Sequence, residues 1–183
     1  TTSAGGGNNG GQNDTVPPTI SGIAVSGVTT AGATVTWTPN EQSTSVVRYS
    51  NVYGPLQRAD NPYCGVVAKF FAAAMAREPP QIHGDGEQTR DFTFVSDTVD
   101  ALIAAAESDK RGEIYNVGSG RPVSVNELVR LLGSPPSVHV PKRPAEPDCT
   151  WADITKIRRD LGWGPKVSFA DGVAIMRQNM DYW

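Results

Sequence analysis

Residues 82–95, I-H-G-D-G-E-Q-T-R-D-F-T-F-V, constrain the chain more than any other stretch. A short β-forming run, a turn through Gly84, Asp85 and Gly86, and the alternating run 91–95 predict strand, turn and strand in quick succession. Arg90 stands at the exit of that turn, just before the second strand. A guanidinium stays charged at any working pH, and its planar donor fork matches two phosphate oxygens, so a loop that aims it suits an anionic ligand. The same spacing also describes a hairpin in which Arg90 pairs with a neighbouring carboxylate such as Asp91.

The chain does not keep one character from end to end. Residues 1–14, T-T-S-A-G-G-G-N-N-G-G-Q-N-D, hold no apolar side chain larger than alanine. They cannot repay the entropy of being ordered, which predicts a flexible linker. Residues 15–47 turn β-rich, with one strand through Ile20, Ile23 and Val25, broken at Gly22, and an alternating strand 34–38 carrying Val35 and Trp37. Val46 and Val47 then serve two continuations equally: the next strand of a β module, or a parallel strand entering an α/β domain.

Beyond them the periodicity is α/β. Asn61 and Pro62 predict the start of a helix that runs to Met75, with Val66, Val67, Phe70, Phe71 and Ala74 as its buried stripe and Pro79 and Pro80 as its stop. Ser96 predicts the cap of a helix over 97–108 with Val99, Leu102, Ile103 and Ala106 inward. A strand over 113–117 precedes a capping box, Ser124 with Glu127, whose helix ends at Gly133. A short strand 138–140 and a charged loop 142–148 follow. Asp153 caps a helix 154–161, and Ser168 with Asp171 opens a last helix over 169–182, buried through Val173, Met176 and Met180.

Composition narrows the function classes. A formal charge of -3 supplies no basic excess for nucleic acid. Cys64 and Cys149 are too few for a disulfide framework and lack a metal-type partner spacing, so free thiols are expected. No apolar run approaches the roughly 20 residues of a membrane span, and the N-terminus lacks the basic and apolar regions of a signal peptide.

Several ordered motifs together carry a resemblance. R-Y-S-N-V-Y-G-P (48–55), I-H-G-D-G-E-Q-T-R-D-F-T-F-V-S-D-T-V-D-A (82–101), Y-N-V-G-S-G (115–120), S-V-N-E-L (124–128) and A-D-I-T-K-I-R-R-D-L-G-W (152–163) resemble the NAD-dependent sugar-nucleotide epimerase/dehydratase family of extended short-chain dehydrogenase/reductases, UDP-glucose 4-epimerase-like members above all. The resemblance runs from 48 to 183 and implies the C-terminal substrate-binding lobe of an α/β enzyme, in a cytoplasmic setting. It implies contacts to a UDP-sugar from Asn51 near the diphosphate, from Gln81, Ile82 and His83 around the base, from Arg90 and Arg143 at the diphosphate, and from Asp148 at the ribose or sugar. Trp151 walls the sugar pocket or belongs to the core. Residues 15–47 resemble the opening of a fibronectin type III-like sandwich, which needs about seven strands. The chain is thus expected to be chimeric: linker 1–14, partial β module 15–47, and truncated substrate lobe 48–183. The compartment of such a fusion is not readable.

The family's hydride chemistry uses NAD on a glycine-rich turn and a Tyr-x-x-x-Lys pair. No tyrosine of this chain has a lysine four residues on; Tyr63 precedes Lys69 by six. The expectation is therefore no catalytic residue, no cofactor or metal in this chain, and no activity of the chain alone. Apolar surfaces left bare on such a lobe predict self-association or exchange of the N-terminal β segment between chains. The alternative is a noncatalytic β module or structural protein of the kind found in secreted carbohydrate-active proteins; a separate chain supplying the NAD-binding half is a third possibility.

Overall fold

The computed structural model describes residues 20–29, 32–39, 45–61, 64–133 and 136–178, and of 20–39 the backbone alone. The expected linker 1–14, Pro62, Tyr63, Met180 and the side chains of Val35 and Trp37 lie outside the described set.

β1 (Ile20–Thr29) pairs antiparallel with β2 (Gly32–Pro39) as a sheet of its own. The break expected at Gly22 is instead a register shift between Ser21 and Ala24, with the strand continuous through it. β3 (Val46–Tyr49) takes the α/β alternative: it pairs parallel, in unbroken register, with β8 (Ile114–Val117).

The 82–95 stretch is not a hairpin. β5 (Gln81–His83) pairs parallel with β10 (Val138–Val140). β6 (Thr89–Arg90) joins a different sheet, between β9 (Val123–Ser124) and β11 (Cys149–Thr150). The expected strand 91–95 shortens to β7 (Thr93–Phe94), parallel to β4 (Val52–Tyr53). Positive φ values of 78° at Gly84 and 81° at Gly86 let the chain turn between two sheets.

Among the described residues five helices cover these small sheets. α1 (Val66–Ala76) starts four residues after Pro62, with Gly65 as N-cap, and stops at Arg77, whose left-handed φ of 55° lets Arg77 and Glu78 amides reach Ala74 and Ala73 carbonyls. α2 (Val95–Glu107) begins one residue before Ser96, so Ser96 is no cap. Its buried positions are Asp97, Thr98, Ala101 and Ala105, whereas Val99 and Ile103, expected inward, are exposed. Hydrogen bonds fix this rotation: the Asp97 carboxylate accepts from the Val167 amide at 3.1 Å and its carbonyl from Trp163 Nε1 at 3.2 Å. Turning the apolar stripe inward would strand both donors.

α3 (Val125–Leu132) is capped as expected, Ser124 Oγ accepting from the Glu127 amide, although the Glu127 carboxylate holds Arg130 rather than completing the box. Before α4 (Thr155–Leu161), Asp153 accepts the Thr155 amide at 2.9 Å. Ser168 accepts the Asp171 amide in the first turn of α5 (Phe169–Gln178).

Two apolar clusters result. One gathers Tyr53, Phe70, Phe71, Ile82, Phe92, Phe94, Leu128, Val173 and Met176 between α1, α3 and α5. In it Phe92 stacks on Phe169 at 4.7 Å, and Tyr53 meets Phe94 edge-on at 5.4 Å. The other packs Ala101, Tyr115, Val117, Ile154, Ile157 and Trp163 against one face of β3 and β8. Asp91 joins them: fully buried, its carboxylate accepts from the amides of Ser119, Gly120 and Ala152 and from Ser119 Oγ. Both cysteines are free, and among the described residues no helix is long and apolar enough to cross a membrane.

Candidate functional site

A cavity of about 1070 Å³ is lined by the 49–58 segment, by α1, by the 78–83 approach to β5, and by Gln88, Arg90, Arg143 and Glu146. The chain builds it from local choices. β4 ends in a turn toward Pro55, and Asn51, at a left-handed φ of 49°, gives its carbonyl to the Thr93 amide. α1 points its N-terminus at the cavity: Cys64, Gly65 and Val66 line it, and among the described residues no side chain caps that end. The leading amides and the dipole of an uncapped helix favour an anion there.

Arg90 stands at the end of β6 with its side chain 13% exposed. Nη1 donates to the Thr89 carbonyl at 2.7 Å, which fixes the side chain, and Nη2 donates to Glu146 Oε1 at 2.9 Å. Arg90 therefore pairs with Glu146 and not with the adjacent Asp91. The second Glu146 oxygen is buried and has no hydrogen-bond partner among the described residues. A buried carboxylate oxygen in that state lacks the donor that buried acceptors ordinarily have. Arg143 lines the same cavity, with Nη2 2.9 Å from His83 Nε2. Lys69 and Arg58 are also on the lining, Arg58 held by Asp60. Four cations against Glu78 and Glu146 make the cavity suited to a multiply charged anion.

Of the seven residues expected at a ligand, Asn51, Gln81, His83, Arg90 and Arg143 line this cavity. Ile82 does not: it is 1% exposed and belongs to the first apolar cluster, because alternation along β5 turns it opposite to its neighbours. Asp148 does not either. It pairs with Lys142 in a separate shallow depression beside Gly84 and Asp85, and hydrogen bonding from Lys142 holds its carboxyl below the usual range. Trp151 is 67% exposed and is neither wall nor core.

Sequence reasoning missed Glu146 and Gln88. Glu146 sits in the same charged loop as Asp148, and what separates them is Ala145, whose φ of 59° reverses the chain so that the first acid turns inward. Gln88 is buried and donates to the His83 carbonyl at 2.7 Å, tying the 84–87 turn to the end of β5. Among the described residues no group of three or more His, Cys, Asp or Glu is placed to hold a metal ion.

Comparison with known proteins gives the family and the fold. The family model described as GDP-mannose 4,6 dehydratase matches residues 32–176. A UDP-N-acetyl-alpha-D-glucosaminuronate decarboxylase of Bacillus cytotoxicus is 37% identical over 140 residues, 70% of this chain and 43% of the relative. A UDP-glucose 4-epimerase of Mycolicibacterium smegmatis is 40% identical over 131 residues, 68% of this chain and 41% of the relative. The crystal structure of the Thermotoga maritima UDP-glucose 4-epimerase with UDP-glucose superposes with a TM-score of 0.69 at 36% identity, covering 75% of this chain and 45% of that one. The Bacillus cereus UDP-glucuronic acid 4-epimerase, in complex with UDP-glucuronic acid and NAD, gives 0.65 at 33% identity, with 75% and 45% coverage. The chain spans less than half the length of each of these proteins.

Proposed function

The chain belongs to the GDP-mannose 4,6 dehydratase family, and on that premise we propose that its cavity takes the diphosphate of a UDP-sugar between Arg90 and Arg143. The observation that carries this is the convergence of two arginines, far apart in sequence, on one cavity with the half-partnered Glu146. In this reading Arg90 gives one edge of its fork to a phosphate, Arg143 gives charge at the mouth, and the uncapped α1 N-terminus adds backbone donors. Glu146 Oε2 accepts from a ribose or sugar hydroxyl. That is the role sequence reasoning gave to Asp148. Asn51 and Gln81 supply neutral contacts from opposite walls.

NAD, which the Bacillus cereus enzyme holds, finds no cradle among the described residues. The turn after β8 has its Ser119 and Gly120 amides bonded to Asp91, and β7 runs into α2 with no glycine between. A dinucleotide's pyrophosphate needs a glycine turn that opens a helix on free amides. With no Tyr-x-x-x-Lys in the sequence either, the role proposed for this chain by itself is ligand binding without turnover. We read the substrate lobe as beginning with β3, whose pairing with β8 carries Val46 and Val47 across the boundary expected at 47/48, with a separate β segment ahead of it and 1–14 as a linker. The separate β1–β2 sheet supports that division.

Titration calorimetry tests the function. UDP-glucose and UDP should bind the whole chain and NAD should not. Arg90→Ala should weaken UDP-glucose by roughly 10- to 100-fold, the weight of a charged hydrogen bond in a partly buried site. A folded wild type that gives no heat with UDP-glucose defeats the proposal.

A further inference from the structure

We infer that His83 is a positioning residue that acts on the ligand through Arg143; this rests on the cavity being a diphosphate site. His83 closes β5, where Gln88 Nε2 donates to its carbonyl at 2.7 Å. Its ring reaches into the 141–148 loop with both nitrogens: Nδ1 lies 3.3 Å from the Pro141 carbonyl and Nε2 lies 2.9 Å from Arg143 Nη2. A carbonyl only accepts, so Nδ1 carries the hydrogen. A guanidinium only donates, so Nε2 is the bare acceptor. The two contacts assign one and the same neutral tautomer, with nothing left over.

The consequence lies in the loop. Arg143 is exposed and sits two residues after Pro141, so without His83 its long side chain has no described acceptor to hold it at the cavity. Asp148 is engaged by Lys142 and Glu146 Oε1 by Arg90, and the remaining Glu146 oxygen is buried and takes no bond from Arg143. His139 also holds the neighbouring turn, its Nδ1 lying 2.8 Å from the Gly84 carbonyl. His83 thus turns a solvated charge into a placed one, and the ligand meets an arginine already ordered. This differs from the direct contact around the base that the resemblance implies for His83.

Calorimetry with UDP-glucose on the full chain separates the two. His83→Phe keeps a flat ring and removes the acceptor; His83→Gln keeps an acceptor and removes the ring. Positioning predicts that His83→Phe weakens binding roughly tenfold, about one hydrogen bond to a charged group. His83→Gln should stay close to wild type, and His83→Phe should cost nothing further in an Arg143→Ala background. Nitrogen-15 spectra of the ligand-free chain should show His83 as the Nδ1–H tautomer, and Arg143→Ala should release it. Wild-type affinity in His83→Phe, additive losses in the double variant, or the opposite tautomer would overturn the inference while leaving the diphosphate site standing. Absence of UDP-glucose binding by the wild type overturns both.

Discussion

Helices α1 and α2 each carry an apolar stripe, and only α1 buries the one its sequence displays. Val67, Phe70 and Phe71 of α1 enter the first cluster, against α3, and Ala68 is buried with them. On α2, Val95, Val99 and Ile103 are 39%, 46% and 48% exposed, while the small residues Ala101 and Ala105 face inward beside Asp97. The sheet at that flank matches: Val46 and its partner Ile114 are 49% and 43% exposed on the face opposite Val47 and Tyr115. Parallel strands are ordinarily covered on both faces. One side of the molecule is thus packed on α1, α3 and α5, and the other carries more apolar surface than the described residues cover.

The joint between the two sides should be the most sensitive point. Asp91→Ala leaves the amides of Ser119, Gly120 and Ala152 without their acceptor and uncouples the clusters. A loss of roughly 3 kcal/mol or more is expected, read as a fall in the urea midpoint. Asp91→Asn should recover little, because its amide turns a donor toward donors. On the packed side, Gly172→Ala drives a Cβ into Tyr53 Oη and to 2.9 Å from Phe94 Cδ2. Tyr53 is 2% exposed, held against Phe94 and Phe169, and cannot swing away. The usual helical gain from replacing glycine is outweighed by overpacking, for a net cost of about 1–3 kcal/mol. The same measurement decides the sign.

The contrast also explains what was legible in the sequence. Several helix termini marked by local chemistry came out where expected, with Ser124 before α3, Gly133 and Gly162 after α3 and α4 and Ser168 before α5, whereas Ser96 and the Asn61–Pro62 start did not. Pairings over long distance did not. Nothing local says that β5 and β6, a few residues apart, go to separate sheets, since their partners arrive from the 138–150 region. The face of α2 was misread because periodicity counts apolar residues, whereas a buried carboxylate and its donors set the rotation. The site was readable as motifs, and Arg90 and Arg143 stand at the cavity on that basis. The choice between Glu146 and Asp148 hung on one left-handed residue, Ala145, for which alanine gives no warning.

If the open flank is surplus surface, charging it should leave the fold alone. Val99→Glu with Ile103→Lys sets an i,i+4 ion pair on exposed positions of α2, and its stability should stay within about 0.5 kcal/mol of wild type. Self-association, which we propose for the wild type through this flank, should drop in the variant when the two are compared by sedimentation velocity over a concentration series. A monomeric wild type, or equal association of both, would mean that the bare stripe is tolerated rather than used.

The smallest expected effect sharpens the comparison on the open side, where α4 reaches the second cluster through Ile157 and, at its end, Leu161. Asp153 holds the start of that helix, and hydrogen bonding from Thr155 keeps its carboxyl below the usual range. A folded-state value below the unfolded one means that the contact stabilises fully above the ordinary carboxylate range and is lost as pH falls through the folded value. The gap in Tm between wild type and Asp153→Ala should therefore be steady from about pH 7 to about pH 5 and close progressively below about pH 4. Because the group is exposed the gap is small at every pH. A gap that widens in acid would show that Asp153 is stabilised protonated, and that packing at Ile157, rather than the cap, holds α4 in place.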